Sequence, residues 1–305
     1  MNKCSYFIPE KALFGGYPNN LEARELEDNG VRYFVDLTCP CEELPLYRHT
    51  CRKIKYPIVD RKTPKNMIKF SKFILELCDI ITKLNNNEKI YIHCRGGHGR
   101  SGIVVASILC HLLKVYPSKA LELTTEYHSR RKIMKEKWRK IGSPQTTPQK
   151  YFVIRMFKPL YFSRACITGS TVGFSNFSKH SITLPDLGTF PSSEAAYQAY
   201  KNPEDKNYLQ ALQNSPNPRS SRLIGNKCKV DFMSDRTREK AMNIVLKHKF
   251  DQNEEIKIKL MNTGLRPIFF RTKYDNFFGD GADGFGANIL GILLIEIRNS
   301  YYRNI

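Results

Sequence analysis

Residues His93-Cys94-Arg95-Gly96-Gly97-His98-Gly99-Arg100-Ser101 put one thiol, three glycines and two arginines into a single short segment. The segment follows Lys89–His93, which reads as a strand, and precedes an apolar stretch at 102–113 that reads as a helix. A loop of this kind turns its backbone N–H groups inward and adds the positive end of the helix, which suits a phosphate dianion. Gly96, Gly97 and Gly99 let the backbone bend and come close to a ligand. Arg100 offers a planar fork for two phosphate oxygens. Cys94 stands at the centre, where these donors favour the thiolate. A thiolate beneath a bound phosphorus is placed for in-line attack, giving a phospho-cysteine, and Ser101 can then hydrogen-bond the departing sulfur. Arg95 and His98 are expected to enlarge the positive rim, so that Arg95, Gly96, Gly97, His98 and Gly99 make up the substrate-binding part. The implied chemistry is phosphomonoester hydrolysis.

The elements that must carry this loop alternate. Strand-like segments at 11–14, 32–37, 53–59 and Lys89–His93 are separated by helix-like segments at 20–29 and 64–84, and Pro117 is placed to open a further helix. Strands alternating with helices predict a mainly parallel sheet flanked by helices. The basic run at 129–140 reads most simply as a solvated helix face. A short closing helix is expected at 149–157, with a domain boundary near Pro159. Together with Val35-Asp36-Leu37 and Thr147-Pro148-Gln149, the loop resembles the cysteine-based tyrosine and dual-specificity phosphatases over about residues 8–157. The resemblance implies a general acid about thirty residues before the cysteine, and Tyr56-Pro57-Ile58-Val59-Asp60-Arg61 matches there, which makes Asp60 the acid. Asp36 competes for that role, but its strand context favours a structural one. The compact length resembles the dual-specificity group. Cys39-Pro-Cys41 with His49 and Cys51 has zinc-ligand chemistry at irregular spacing; no metal and no cofactor is expected.

The second half reads as an α+β domain, strand-like at 161–174 and helical at 193–201, 235–249, 254–262 and 289–301. Its informative segments are Gly173-Phe174-Ser175-Asn176-Phe177, Phe190-Pro191-Ser192-Ser193-Glu194 with the residues up to Lys201, Lys249-Phe250-Asp251-Gln252-Asn253, Thr263-Gly264, and Tyr274-Asp275-Asn276-Phe277-Phe278-Gly279 with Gly281. In this order they resemble the NADAR (YbiA-like) family over about residues 160–300. That resemblance implies N-glycosidase chemistry on ribosylamino-pyrimidine phosphates or ADP-ribosylated guanine. Its catalytic carboxylates map onto Glu194, Asp231 and Asp275, and its substrate contacts onto Asn176, Phe278, Gly279 and Gly281. Such cleavage passes through an oxocarbenium-like state that a carboxylate stabilises while an acid protonates the leaving nitrogen. The glycine-rich segment before the last helix is a candidate phosphate site. Three positions depart from the family: Phe232 and Phe278 stand where tryptophans are usual, and Phe270 where a glutamate is.

The expected organisation is therefore a dual-specificity-type phosphatase domain at 1–158 and a NADAR-type domain at 159–305. Composition is that of a globular protein, with 41% hydrophobic and 26% charged residues, and the net charge of +20 suits either polyanionic partners or a solubilising surface. Nine cysteines, an odd number in a chain of 305 residues, point to reduced thiols. With no leader and no membrane-spanning run in the sequence, a cytoplasmic or nuclear setting is expected, away from membranes. Expected partners are a phosphorylated protein or RNA, a nucleotide or ADP-ribose-type substrate, and nucleic acid. Alternatives stay open: an RNA 5′-phosphatase in the first half, a non-catalytic ADP-ribose or nucleic-acid reader in the second, or a phosphate-binding scaffold without turnover.

Overall fold

Apolar runs without polar alternation, such as Val31–Asp36 and Lys89–His93, belong in the middle of a sheet covered on both faces. The computed structural model, which describes residues 2–164, 169–232 and 234–304, places them there. The chain divides into two units, Met1–Lys158 and Pro159–Ile305.

In the first unit β1 (Cys4–Ile8), β2 (Ala12–Gly15), β3 (Val31–Asp36), β4 (Arg52–Lys55) and β5 (Lys89–His93) form one sheet in the order β1-β2-β5-β3-β4. Only the β1–β2 pair is antiparallel. Helices α1 (Asn20–Asp28) and α2 (Met67–Lys83) connect parallel strands, each started by an asparagine cap, Asn19 on Glu22 and Asn66 on Lys69. α3 (Arg100–Leu113), α4 (Pro117–Ser129), α5 (Glu136–Ile141) and α6 (Thr147–Phe157) complete the unit. Because β5, β3 and β4 run the same way, the loops after them leave from one edge of the sheet. That common edge gathers Cys94, Glu42 and Asp60.

In the second unit β6 (Leu160–Phe162) pairs in parallel with β9 (Ile268–Phe270), and β7 (Ile182–Leu184) with β8 (Gly188–Phe190) in a hairpin. Around them lie α7 (Ser193–Ala199), α8 (Lys206–Gln213), α9 (Pro218–Lys227), α10 (Asp235–Gln252), α11 (Glu254–Met261) and α12 (Ile289–Arg303). Phe174, Phe190, Phe250, Leu294 and Tyr302 are fully buried in its core.

Several expectations need correction. The strand expected at 161–174 is only Leu160–Phe162, and residues 171–178 are turns with no ladder; residues 165–168 lie outside the described ones. The strand expected at 53–59 stops at Lys55, and the residues from Tyr56 onward loop over the sheet edge. The basic run at 129–140 is a solvated helix face only in part: Lys137 and Lys140 are exposed on α5, but two arginines turn inward. Arg131 is buried, donating to the Phe14 carbonyl at 3.2 Å, and Arg139 turns back onto the carbonyls of Ser129 and Arg131. α8 and α9, rich in Asn and Ser, carry no expectation from periodicity.

Two candidate active sites

β5 delivers Cys94 to the sheet edge, and α3 begins at Arg100, so the loop between them wraps the thiol. Cys94 is buried at 3% exposure. Its sulfur accepts the Gly97 N–H at 3.2 Å and lies 3.7 Å from the Ser101 hydroxyl. Gly97 has φ +72°, and a Cβ there would stand 2.3 Å from the Gly15 carbonyl carbon, so the turn requires glycine.

Arg100 is buried and held from three sides. Both its terminal nitrogens meet the Glu42 carboxylate, one of them at 3.0 Å; one donates to the Ile58 carbonyl at 3.1 Å, and the other lies 3.1 Å from Asp60. Its Nε, buried, has no protein partner among the described residues and remains for a ligand oxygen. Burial alone would depress the guanidinium's pKa, but the Glu42 hydrogen bonds raise it. Glu42 answers in kind: burial works against its charge, yet Arg100 holds its carboxyl below the ordinary range. Glu42 escaped the sequence reading because its contact spans 58 residues and its surroundings, a Cys-Pro-Cys turn, suggested zinc instead. Cys51 instead donates to the Val31 carbonyl and His49 bonds the Cys51 carbonyl, and no metal-holding group occurs among the described residues.

Asp60 is 60% exposed on the loop after β4, beside the Arg100 guanidinium. Asp36 takes the structural role expected of it: it is buried, ion-paired to Lys53 at 3.0 Å and bonded by Thr38. His93 is buried against the Tyr47 hydroxyl at 2.8 Å, and burial pushes it down to about 4, so it is neutral at neutral pH. His98 does not enlarge the positive rim. It bonds His128 at 2.7 Å and stacks on Trp138 at 4.8 Å, and burial next to Arg131 pushes it down to about 4. Arg95 and Gly96 are exposed, while Gly99 packs on the Gln149 side chain.

In the second unit a cavity of about 620 Å³ collects Glu194, Asp231, Asp275, Asn176 and Phe278 on one wall system. Glu194 follows the Ser192 cap in the first turn of α7. It is 7% exposed and accepts from Gln198 at 2.9 Å; burial raises its pKa, against the pull of Gln198, Arg222 and Arg164. Asp231 is 80% exposed, accepts its neighbour Phe232 N–H at 2.8 Å, and lies 3.5 Å from Lys201; these hold its carboxyl low. Asp275 lines the cavity while accepting the N–H groups of Phe277 and Phe278 at 3.1 and 2.8 Å, so it also shapes the turn. Phe232 stacks on Tyr197 at 4.9 Å and Phe278 meets it edge-on, forming an aromatic slot. Phe270 is buried against Phe162. Asn176 Oδ1 and Gln198 Oε1 are buried without a partner among the described residues, and both residues line this cavity.

Gly279 and Gly281 are not in the cavity wall. A Cβ on Gly279 would meet Thr272 at 2.1 Å and the Phe270 carbonyl at 3.0 Å, and Gly281 has φ +72° beside Asn276, so both serve the backbone turn. Nor is the start of α12 an open phosphate site: Asn288 bonds both the Phe270 N–H and the Ile268 carbonyl, tying it onto β9. Arg164, Tyr197 and Arg222, which do line the cavity, lacked a local signal beyond charge or aromaticity.

Comparison with known proteins agrees with this division. The NADAR domain model matches residues 161–301, and the model described as a polymorphic toxin system DSP-PTPase phosphatase matches residues 17–112. N-glycosidase YbiA of Escherichia coli (strain K12) is 32% identical over 127 residues, 41% of this chain and 78% of its own. Protein 067L of Invertebrate iridescent virus 3, which bears a tyrosine-phosphatase name, is 43% identical over 160 residues, 52% of this chain and 66% of its own. Protein 197R of Invertebrate iridescent virus 6, with a name of the same kind, is 31% identical over 314 residues, 99% of this chain and 96% of its own. With 197R matched along almost its whole length, the chain belongs to the family of 197R, and in this chain the phosphatase-model match precedes the NADAR match.

Proposed function

We propose that the chain is a bifunctional hydrolase: a dual-specificity-type phosphatase acting on phosphoprotein, and an N-glycosidase acting on ribosylamino-pyrimidine phosphates or ADP-ribosylated guanine. The observation that carries it is the convergence of chemistry-bearing groups in each unit, Cys94 with Arg100 and Asp60 in one, Glu194 with Asp231 and Asp275 in the other. In the first, the Cys94 thiolate attacks phosphorus as the P–O bond to the leaving group breaks, and Asp60 gives that oxygen its proton. Asp60, now ionised, takes a proton from water, whose oxygen attacks the phospho-cysteine; phosphate leaves and the thiolate returns, steadied by Ser101. In the second, burial keeps Glu194 protonated to higher pH than an ordinary carboxylic acid, which suits it to protonate the leaving nitrogen. Asp231, held ionised, stabilises the oxocarbenium-like state or draws a proton from the attacking water.

The test is a hydrolysis panel of phosphopeptides, triphosphorylated RNA, a ribosylamino-pyrimidine phosphate and ADP-ribosylated guanine, run on the wild type, Cys94→Ser and Glu194→Gln. Cys94→Ser should abolish phosphate release and leave glycoside cleavage; Glu194→Gln should do the reverse. Because the acid form of Glu194 and the ionised form of Asp231 are both required, cleavage should fall as pH rises through the raised pKa of Glu194 and, on the acid side, only as pH drops through the lowered pKa of Asp231. A Cys94→Ser protein with near-normal phosphatase rates overturns the phospho-cysteine mechanism. ADP-ribose binding without any cleavage would make the second domain a reader.

A further inference from the structure

Three arginines beside the glycosidase cavity are placed against the physics of the bare protein. Arg219 lies in the first turn of α9, the positive end of that helix, where a cation is unfavourable. Arg222 follows three residues later on the same face, a like-charge spacing that also disfavours the helix. Arg164 comes close enough that Arg222 adds to burial in depressing its pKa, and it lies over the Phe177 ring at 5.2 Å. The other cations of the cavity are compensated, Lys201 by Asp231 and Arg238 by Asp235. Among the described residues no close ion pair joins Arg164, Arg219 or Arg222 to a carboxylate, although Glu194 attracts Arg164 and Arg222, and Asp275 attracts Arg164, at longer range. Together with Phe177, Leu223 and Asn226 they line a second lobe of about 530 Å³. It adjoins the first, since Arg164, Phe177, Arg222 and Asn226 line both. Arg219 and Leu223 belong to the outer lobe alone.

We infer that the outer lobe binds a second phosphate group of the substrate, carried beyond the scissile glycoside, as in a nucleoside diphosphate or a phosphodiester strand. An anion in this lobe offsets the repulsion between Arg164 and Arg222 and meets Arg219 as a further cation of the same lining. Phe177 and Leu223 offer apolar contact to whatever sugar or base follows that phosphate. This rests on the glycosidase reading and selects within it, favouring the ADP-ribosyl class over a small monophosphate, which the inner lobe alone would hold.

The full chain and its Arg219→Gln and Arg219→Glu variants are titrated by fluorescence anisotropy with two probes, a labelled ADP-ribose and a labelled single-stranded oligonucleotide, over a salt series. Circular dichroism checks that the variants fold. Arg219→Glu should weaken at least one probe tenfold or more, and Arg219→Gln should lower the slope of log K against log salt by about one. The probe affected identifies the source of the phosphate. If neither probe is weakened by Arg219→Glu in folded protein, or if the wild type binds neither, the inference is overturned. Turnover is scored separately on the ribosyl substrates: loss of binding in a chain that cleaves none of them refutes the glycosidase reading and leaves the phosphate lobe standing.

Discussion

At the residue scale two carboxylates of the first unit meet Arg100, one exposed and one mostly buried. Asp60 is exposed and free to meet a leaving group, and it lies 3.1 Å from Arg100. Asp60→Asn should therefore slow kcat on poor leaving groups by about 10²–10⁴-fold. Activated aryl phosphates, whose leaving groups need little protonation, should lose far less; equal losses measured on both would assign the acid role elsewhere. Glu42 never needs to touch substrate. It meets both terminal nitrogens of the guanidinium, and the buried Nε has no partner among the described residues. Glu42→Gln keeps the shape but removes the charge, and a misdirected fork should lower kcat/KM by about 10²-fold. The loss should fall on every phosphomonoester alike and come with weaker inhibition by vanadate. An unchanged vanadate affinity would make Glu42 a packing residue only.

At the element scale the phosphatase site is a strand end, a turn and a helix start. Gly97 is the turn's critical residue, because its positive φ and its contact with Gly15 leave no room for a side chain. Gly97→Ala should cost about 1–3 kcal/mol from backbone strain alone, read as a lower urea midpoint. Phosphate protection of that midpoint should also vanish, because the displaced turn carries the N–H that meets Cys94. A variant with wild-type stability and wild-type phosphate protection would show that the loop tolerates another path. In the second unit α7 plays the equivalent part, presenting Glu194 from a capped first turn while burying its whole length. Short strands of three residues were invisible beforehand because they contain too few positions for a period of two to register.

At the scale of the whole molecule, the first unit has one five-stranded sheet and the second two two-stranded ones, each unit buries aromatic residues of its own, and the described residues named for each site come from one unit. Fragments 1–158 and 159–305 should each unfold cooperatively when made separately, with activities equal within a few-fold to those of the intact chain. Calorimetry and the hydrolysis panel check this; a fragment that aggregates or loses activity outright would mean that the halves depend on one another. No helix among the described residues is long and apolar enough to cross a membrane.

What the sequence determined by itself was whatever is local. The phosphate loop is contiguous, its helix follows at once, and glycine and arginine occupy the positions that strand-to-helix geometry demands, so Cys94, Arg100 and Ser101 were legible as a unit. Asp60 could be ranked above Asp36 because the phosphatase resemblance implies an acid about thirty residues before the cysteine, while Asp36 sits within a strand pattern. Tertiary structure decided the rest. Glu42 reaches Arg100 across 58 residues, His98 turns away to His128 and Trp138, and Arg131 leaves a basic run to enter the core. Arg164, Arg222 and Glu194 share one cavity although two separate chain segments lie between them. Residue types state which charges a chain owns; only the packing of distant segments states which of those charges are desolvated, paired or left waiting for a ligand, and reactivity follows from that difference.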